Sequence, residues 1–382
     1  MQFSSLLKKA FAFLPLKNII LFESCPDLSD NTKAVFDEFI KRGYNKKYKL
    51  VWVVEKNNNY YPRIKNVLYI SNSISSSSLM DKIKRFFYFF NAKCLISCNR
   101  HLTSFRPKQF SIYLSHGTPM KSIRANHIAD IDIKYFLAAS KNVSEIIAHE
   151  MLASADKVVS LGFPRNDALI NKGINIKSLL KTNCSKIIVW YPTFRQNKNP
   201  NGVVLKTNAL PILHNGEEAI KINDFAKQND ILIVLKPHFA QDVSYLTDLN
   251  LSNIRFIDDS FFSKNNITSY EFVGNCDALI TDYSSIYYDF TLCDKPIAVI
   301  WEDIGEYKIK PGFAVNLDYY LKGAVKVYNS SEFIEFLHQI ANDEDILKEE
   351  RNEIKKLVNY SCEPDNTTRV TDFIIEKANL KL

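Results

Sequence analysis

The chain has no apolar run of about 18 residues, so it holds no candidate membrane-spanning helix. Glycine and proline are scarce, at 10 and 13 of 382 residues, which excludes collagen-like and low-complexity character. Gly-x-Gly-x-x-Gly and Walker A motifs are missing, which disfavours dinucleotide and P-loop chemistry. The Gly-x-Ser-x-Gly elbow of serine hydrolases is also missing. The 7 cysteines are scattered; Cys94 and Cys98 are the one close pair, and no second pair or histidine cluster completes a zinc site. They read as reduced thiols of a cytosolic protein, several of them buried as small apolar residues. Asp130-Ile131-Asp132 lies apart from the strand ends discussed below, so no metal site is expected.

What is present is a well-cored globular composition, 46% hydrophobic and 24% charged. A length of 382 residues exceeds one ordinary core and points to two domains. The net charge of +7 hides an asymmetry: residues 1–125 carry 21 Lys/Arg against 7 Asp/Glu, and the remainder 28 against 35. A basic first third suits an acidic partner, whether nucleic acid, anionic lipid or a phosphate-bearing polymer; a solvated lysine-rich surface is the plainer reading. The first fourteen residues do not read as a signal peptide, because Lys8 and Lys9 lie mid-segment and no small-residue cleavage site follows. Phe3, Leu6, Leu7, Ala10, Phe11 and Leu14 fall at helical spacing. Segment 1–14 is therefore expected to be an amphipathic helix, suited equally to a membrane interface or to packing on its own domain.

Short apolar runs at 18–23, 49–55, 67–70, 93–97, 111–115, 136–140 and 158–161 alternate with helical stretches, among them 31–42 and the aromatic, basic segment 79–90. After a polar stretch at 171–185 the alternation restarts with runs at 186–190, 231–235, 254–256, 278–280 and 296–301. Helices are expected at 217–227, 269–276, 343–359 and 367–378. Strands alternating with helices of this size mean parallel βαβ units. The expectation is α/β, two doubly wound Rossmann-like domains: 1–170 with the amphipathic start, and 171–382 including the C-terminal helices.

In open α/β sheets ligands bind beyond the carboxyl ends of the strands. The residues that follow the apolar runs are suited to this. Ser115-His116-Gly117-Thr118-Pro119-Met120-Lys121 follows one run, and Gly162-Phe163-Pro164-Arg165-Asn166-Asp167 another. Tyr191-Pro192-Thr193-Phe194-Arg195, Lys236-Pro237-His238 and Thr281-Asp282-Tyr283-Ser284-Ser285 follow three more. An imidazole at His116 suits general-base work near neutral pH, and Gly117 lets a substrate approach the backbone. A lone histidine is ordinarily a satisfied structural residue; Lys121 nearby and a second such strand end at His238 favour function here. Lys236 and His238 suit phosphate contacts, and Arg195 is a good bidentate phosphate ligand. Arg165-Asn166-Asp167 reads equally as an internal ion pair with a helix cap. Thr281 to Ser285, hydroxyls at a strand-to-helix junction, form either a helix cap or an anion site. Asp282 would repel a pyrophosphate, so it is expected to orient the turn by capping or by pairing with a cation.

Taken in order, these five motifs resemble the CDP-glycerol glycerophosphotransferases, the teichoic acid primases and polymerases and related capsule polymerases. The resemblance runs from about residue 110 to 370. It implies a GT-B architecture, two Rossmann-like domains facing a central cleft, with a CDP-linked polyol donor as substrate on the C-terminal domain and no further cofactor. Carried over by motif, His116 is the base that deprotonates the acceptor. His238 contacts the donor phosphates and helps CMP depart, and Arg195 with Ser284 and Ser285 holds the pyrophosphate. Gly117, Thr118, Lys121, Arg165, Asn166, Thr193, Lys236, Thr281 and Asp282 are the further substrate-binding candidates, and Glu302, in the acidic stretch after the last strand, is a ribose contact. The implied partners are CDP-glycerol or a related CDP-polyol and an anionic lipid-linked or glycan acceptor at the cytoplasmic membrane face, with no nucleic acid.

Two other functions compete. One is a GT-B glycosyltransferase using a nucleotide sugar in surface polysaccharide synthesis. The other is a non-catalytic nucleic-acid binder working through the basic first third. It predicts steep salt dependence, but the basic residues carry no recognisable aromatic RNA-binding motif.

Overall fold

The protein is described from a computed structural model over residues 14–55, 61–72, 78–124, 132–171, 173–193, 210–238 and 241–382. The expected amphipathic helix at 1–14, apart from Leu14, and the candidate Arg195 lie outside these residues. The chain divides into two compact units, Met1–Thr118 with His127–Asp167 and Glu363–Leu382, and Pro119–Asn126 with Ala168–Cys362.

The first unit is built on β1 (Ile19–Glu23), β2 (Lys49–Val54), β3 (Val67–Ser71), β4 (Cys94–Ser97), β5 (Phe110–Tyr113), β6 (Tyr135–Ala138) and β7 (Val158–Ser160). They form one sheet in the order β3-β2-β1-β4-β5-β6-β7. Every pairing is parallel, with Ile20 opposite both Leu50 and Cys94. Continuous apolar strands are what a sheet covered on both faces needs. On one face Phe22 and Trp52 pack edge-on against Phe36 of the helix Asp30–Lys41, at ring-centroid distances of 5.3 and 5.4 Å to Phe36. On the other, Leu21, Val51 and Leu95 meet Tyr88 and Phe89 of the helix Leu79–Asn91.

The last helix, Asn366–Lys377, belongs to this first unit, whereas the sequence pattern assigns the whole of 171–382 to the second domain. The reason is a cap that no local pattern reveals. The Asp167 carboxylate accepts the backbone N–H of Asn366 and Thr367 at 3.0 and 2.8 Å and the Asn366 amide at 2.9 Å. This satisfies the orphan donors of the helix start. Gly162, at φ +80, closes against it; a Cβ there would sit 1.9 Å from Asn366 Oδ1.

The second unit holds β8 (Lys186–Trp190), β9 (Ile231–Leu235), β10 (Ile254–Phe256), β11 (Ala278–Thr281), β12 (Ile297–Ile300) and β13 (Val325–Val327). Their order is β10-β9-β8-β11-β12-β13, again all parallel, and its direction reverses between β8 and β11. Ile188, Trp190, Ile233, Leu235, Ile280 and Ile300 share one buried face with Ile222 and Ala226 of the helix Gly216–Gln228 and Phe333 and Leu337 of Ser330–Ala341. The alternate residues Ile187, Val189, Leu232, Val234, Leu279 and Val299 are equally buried, so both faces are covered. The polar stretch 171–185 carries the short helix Ile176–Leu180 in this unit. Two doubly wound α/β domains are therefore observed, as the alternation predicts.

Candidate active site

Parallel strands put all their carboxyl ends at one edge of the sheet, and proline helps to end several of them. Pro192 and Pro237 follow β8 and β9 within two residues, and Pro164 and Pro119 punctuate the loops after β7 and β5. A residue without N–H cannot continue a ladder, so the chain turns out of the sheet there and presents polar side chains.

In the first unit the structure brings four residues together. His116 follows β5 and is exposed, its ring 60% accessible. Its Nδ1 is hydrogen-bonded to Asp30 Oδ2, whose own side chain is only 5% accessible. The second Asp30 oxygen accepts Arg165 Nη1 at 2.8 Å, and Arg165 Nη2 reaches the His116 carbonyl at 3.4 Å. Asn31, wholly buried, ties the loops: its amide donates to Leu114 O and Ser115 O at 3.2 and 2.9 Å, and its oxygen accepts Arg165 N at 3.1 Å. Burial by itself raises the Asp30 carboxyl. The Arg165 guanidinium, His116 and the Asn31 N–H outweigh it and hold the group well below the usual carboxylate range. Asp30 and Ser115 both adopt left-handed backbone, at φ 61 and 59, a conformation that persists in non-glycine residues only where the surroundings impose it. Gly117, at φ 107, has no such penalty.

The sequence analysis placed Arg165 and Asn166 among substrate contacts, with an ion pair as the other reading. Both are buried, at 7% and 1%, and Arg165 is ion-paired beneath His116. Thr118 is buried, and its Oγ1 has no hydrogen-bond partner among the described residues. Asp30 and Asn31 were missed. In sequence Ser29-Asp30-Asn31 reads only as a helix start, and Asp30 lies 86 positions from His116.

Lys121, five residues from His116, belongs to the second unit. Its backbone bridges Phe313, flanked by Ser122 N to Gly312 O at 3.0 Å and Ala314 N to Met120 O at 2.9 Å. Its ammonium lies 5.8 Å from the Tyr307 ring centroid. It also acts on His238. Partial desolvation first, then Lys236 and Lys121, lower the proton affinity of that imidazole against the opposing pull of Asp259. Lys236 Nζ sits 3.0 Å from Asp259 and 5.6 Å from the Tyr191 ring centroid.

Between β8 and β11, where the strand order reverses, Asp282 accepts Thr193 N at 2.7 Å and the Thr193 hydroxyl. The Thr281 hydroxyl donates to Tyr191 O at 2.8 Å. Asp282 and Thr281 thus lock the loop after β8 to the loop after β11 at the switch point, where such folds bind ligands. Asp282 thus orients the neighbouring strand-end loop through Thr193. Ser284 and Ser285 are half-buried, and their carbonyls accept Tyr287 N and Tyr288 N at 3.2 and 3.0 Å at the start of the short helix Ile286–Phe290. Glu302, after β12, accepts Ile212 N at 2.8 Å and pairs with His214 Nε2 at 2.6 Å. The hydrogen bond from Glu302 raises His214 above the ordinary histidine value, against desolvation. His214 was missed because the stretch before it has no strand or helix periodicity.

Residues 6–376 match the family described as CDP-Glycerol:Poly(glycerophosphate) glycerophosphotransferase. A "Teichoic acid glycerol-phosphate transferase" of Staphylococcus aureus is 25% identical over 368 residues, covering 87% of this chain and 86% of that protein. A "Teichoic acid poly(glycerol phosphate) polymerase" of Bacillus spizizenii is 26% identical over 357 residues, covering 85% and 84%. The wall teichoic acid polymerase TagF superposes with a TM-score of 0.73 at 20% identity, over 96% of this chain and 91% of that one, which establishes a GT-B-like fold of two Rossmann-like sheets. The chain is a member of the CDP-glycerol:poly(glycerophosphate) glycerophosphotransferase family, and so a transferase of cell-envelope polymer synthesis.

Proposed function

We propose that the protein moves a polyol phosphate, glycerol phosphate in the first instance, from a CDP-activated donor to a hydroxyl of a lipid-linked or saccharide acceptor, building a teichoic-acid-like or capsular polymer. The observation that carries this reading is an exposed imidazole hydrogen-bonded to a buried carboxylate, His116 on Asp30, in a chain of that family. With Nδ1 engaged, His116 presents Nε2 to the acceptor hydroxyl and takes its proton as the oxygen attacks. The new bond forms to the phosphorus that bears the glycerol, the bond from that phosphorus to the CMP oxygen breaks, and CMP leaves. Such in-line displacement needs positioning and charge neutralisation more than covalent participation by the protein.

The second unit supplies the donor groups in this reading. Lys236 and His238 meet the phosphates, with Lys121 adding positive field, and Arg195 and the Ser284 and Ser285 hydroxyls complete the anion contacts. Thr193, Thr281 and Asp282 hold the loops that carry them, and Glu302, already oriented by His214, meets the ribose. Gly117 and the Thr118 hydroxyl line the acceptor side. A panel of CDP-glycerol, CDP-ribitol and UDP- and CMP-sugars, with products sized by mass spectrometry, tests it. Transfer from a CDP-polyol with release of CMP is expected; turnover of a nucleotide sugar in its place overturns the reading.

The same reading puts the protein on the inner face of the membrane. No helix among the described residues is long and apolar enough to cross it. The helix Leu79–Asn91 supports a peripheral mode: Leu79, Met80, Ile83, Phe86 and Phe87 are exposed beside Lys82 and Lys84, and Lys17 lies 4.6 Å from the Phe87 ring centroid. An apolar strip with flanking cations suits an anionic lipid surface. Sedimentation with phosphatidylglycerol vesicles is expected to pull the protein down, and Ile83→Glu with Phe86→Glu to release it.

A further inference from the structure

We infer that Asp30 is a positioning residue: it holds the His116 ring by Nδ1 and fixes the proton on that nitrogen, so that Nε2 carries the lone pair, and Arg165 holds Asp30 in place. The inference rests on the base role proposed for His116 but makes a separate structural claim, that of the ring's tautomer.

Three features on different elements converge on that carboxylate. Its Oδ2 is taken by His116 from the loop after β5, and its Oδ1 by Arg165 from the loop after β7. Its own backbone is turned into left-handed geometry at the start of the helix Asp30–Lys41, and the next residue, Asn31, clamps both loops. A buried carboxylate is tolerated when a cation is paired with it, and Arg165, itself 7% exposed, is that cation. The arrangement is asymmetric. Carboxylate and guanidinium are enclosed while the imidazole they support stays exposed, so the order is built below the ring and the ring faces outward. An ionised carboxylate only accepts hydrogen bonds, so its contact with Nδ1 requires the proton to be on Nδ1. In free histidine the neutral ring favours the other tautomer, with the proton on Nε2, which could not take a proton from an alcohol at that atom. Hydrogen bonding to one ring nitrogen sets which one carries the proton, and Asp30 sets it in the sense that catalysis needs. Arg165 also binds the His116 carbonyl, so side chain and main chain of the histidine are fixed by the same ion pair.

The test is the 15N spectrum of the full-length protein labelled at histidine, with the His116 resonances identified by their loss in His116→Ala. In the wild type the neutral ring is expected to carry its proton on Nδ1. In Asp30→Asn it is expected to move toward the Nε2–H form, and kcat to fall about 10²-fold, the lower end of what a positioned base contributes. The KM for the CDP-polyol is expected to stay within about twofold, because the hydrogen-bond partners of Asp30 among the described residues, Asn31, His116 and Arg165, belong to the first unit. Arg165→Lys, which keeps a cation beside Asp30, is expected to retain more activity than Arg165→Gln. If Asp30→Asn fails to fold, as circular dichroism would reveal, the Arg165 pair supplies the same readouts. A wild-type ring protonated on Nε2, or an Asp30→Asn spectrum unchanged from wild type, overturns the inference. If His116→Ala transfers at the normal rate while the Nδ1–H tautomer is present, positioning stands and the base role fails.

Discussion

The two histidines that the sequence singles out end up in opposite surroundings. His116 rests on a buried carboxylate that is ion-paired with a buried cation. His238 has two cations, Lys236 and Lys121, among its near charges, and together with desolvation they lower its proton affinity. The same side chain is therefore prepared for different work. A carboxylate under a ring orients it, whereas cations near a ring disfavour its protonation. The first suits a base for an alcohol, the second a contact for phosphates. The units differ in the same sense. In the first, a buried ion pair supports an exposed imidazole. In the second, Thr193–Asp282 and Thr281–Tyr191 fix the loops at the strand ends.

If that contrast is right, the two histidine regions fail differently when altered. The largest effect is expected from His116→Ala: kcat down about 10²- to 10⁴-fold with the donor KM little changed, measured by transfer from CDP-glycerol. A comparable rise in donor KM would erase the distinction between the two sites. Lys236→Met comes next. Losing a charged hydrogen bond to the donor costs about 1.5–3 kcal/mol, which is roughly tenfold to a hundredfold in kcat/KM, expressed mainly in donor affinity. A kcat loss at unchanged KM would place Lys236 with the chemistry instead.

The smallest effect is expected at His214→Gln and concerns stability. His214 is raised above the ordinary value of 6.5 by Glu302, so the pair's stabilisation is fully present below pH 6.5 and is lost as pH rises through the raised value. The side chain is about a third exposed, so the difference is about 0.5–1 kcal/mol at most. Thermal midpoints of wild type and variant are expected to differ below pH 6.5 and to converge on the alkaline side. A gap that widened with pH would show that Glu302 holds His214 as a neutral ring.

Much of the second sheet was legible. β8, β9 and β10 coincide with the runs at 186–190, 231–235 and 254–256, because strands buried on both faces read as unbroken apolar segments. β13 was not. It is a three-residue edge strand with Lys326 at its centre, so neither length nor alternation marks it. The helix Ser330–Ala341, with its Asn329 cap, was passed over because no strand was seen before it to demand a crossover. In the site, motif residues at strand ends were found and their partners were not. Asp282 was expected to orient its turn by capping or by pairing with a cation; its bond to Thr193, on the neighbouring strand end, was not foreseen.

Apolar runs and the polar residues that end them are local properties, so one dimension suffices for the alternation of strand and helix, the strand-end loops, and the two histidines as candidates. Which unit each residue serves is settled by contacts between distant parts of the chain. His116 and Lys121 are neighbours in sequence yet belong to different units, and Asp167 recruits a helix from some 200 positions away. The ion pair beneath His116 is of the same kind. Asp30 and Arg165 look like a helix start and a loop cation until the sheet order brings the loops of β1, β5 and β7 to one edge. There burial makes a lone charge too costly, and each charge finds its partner.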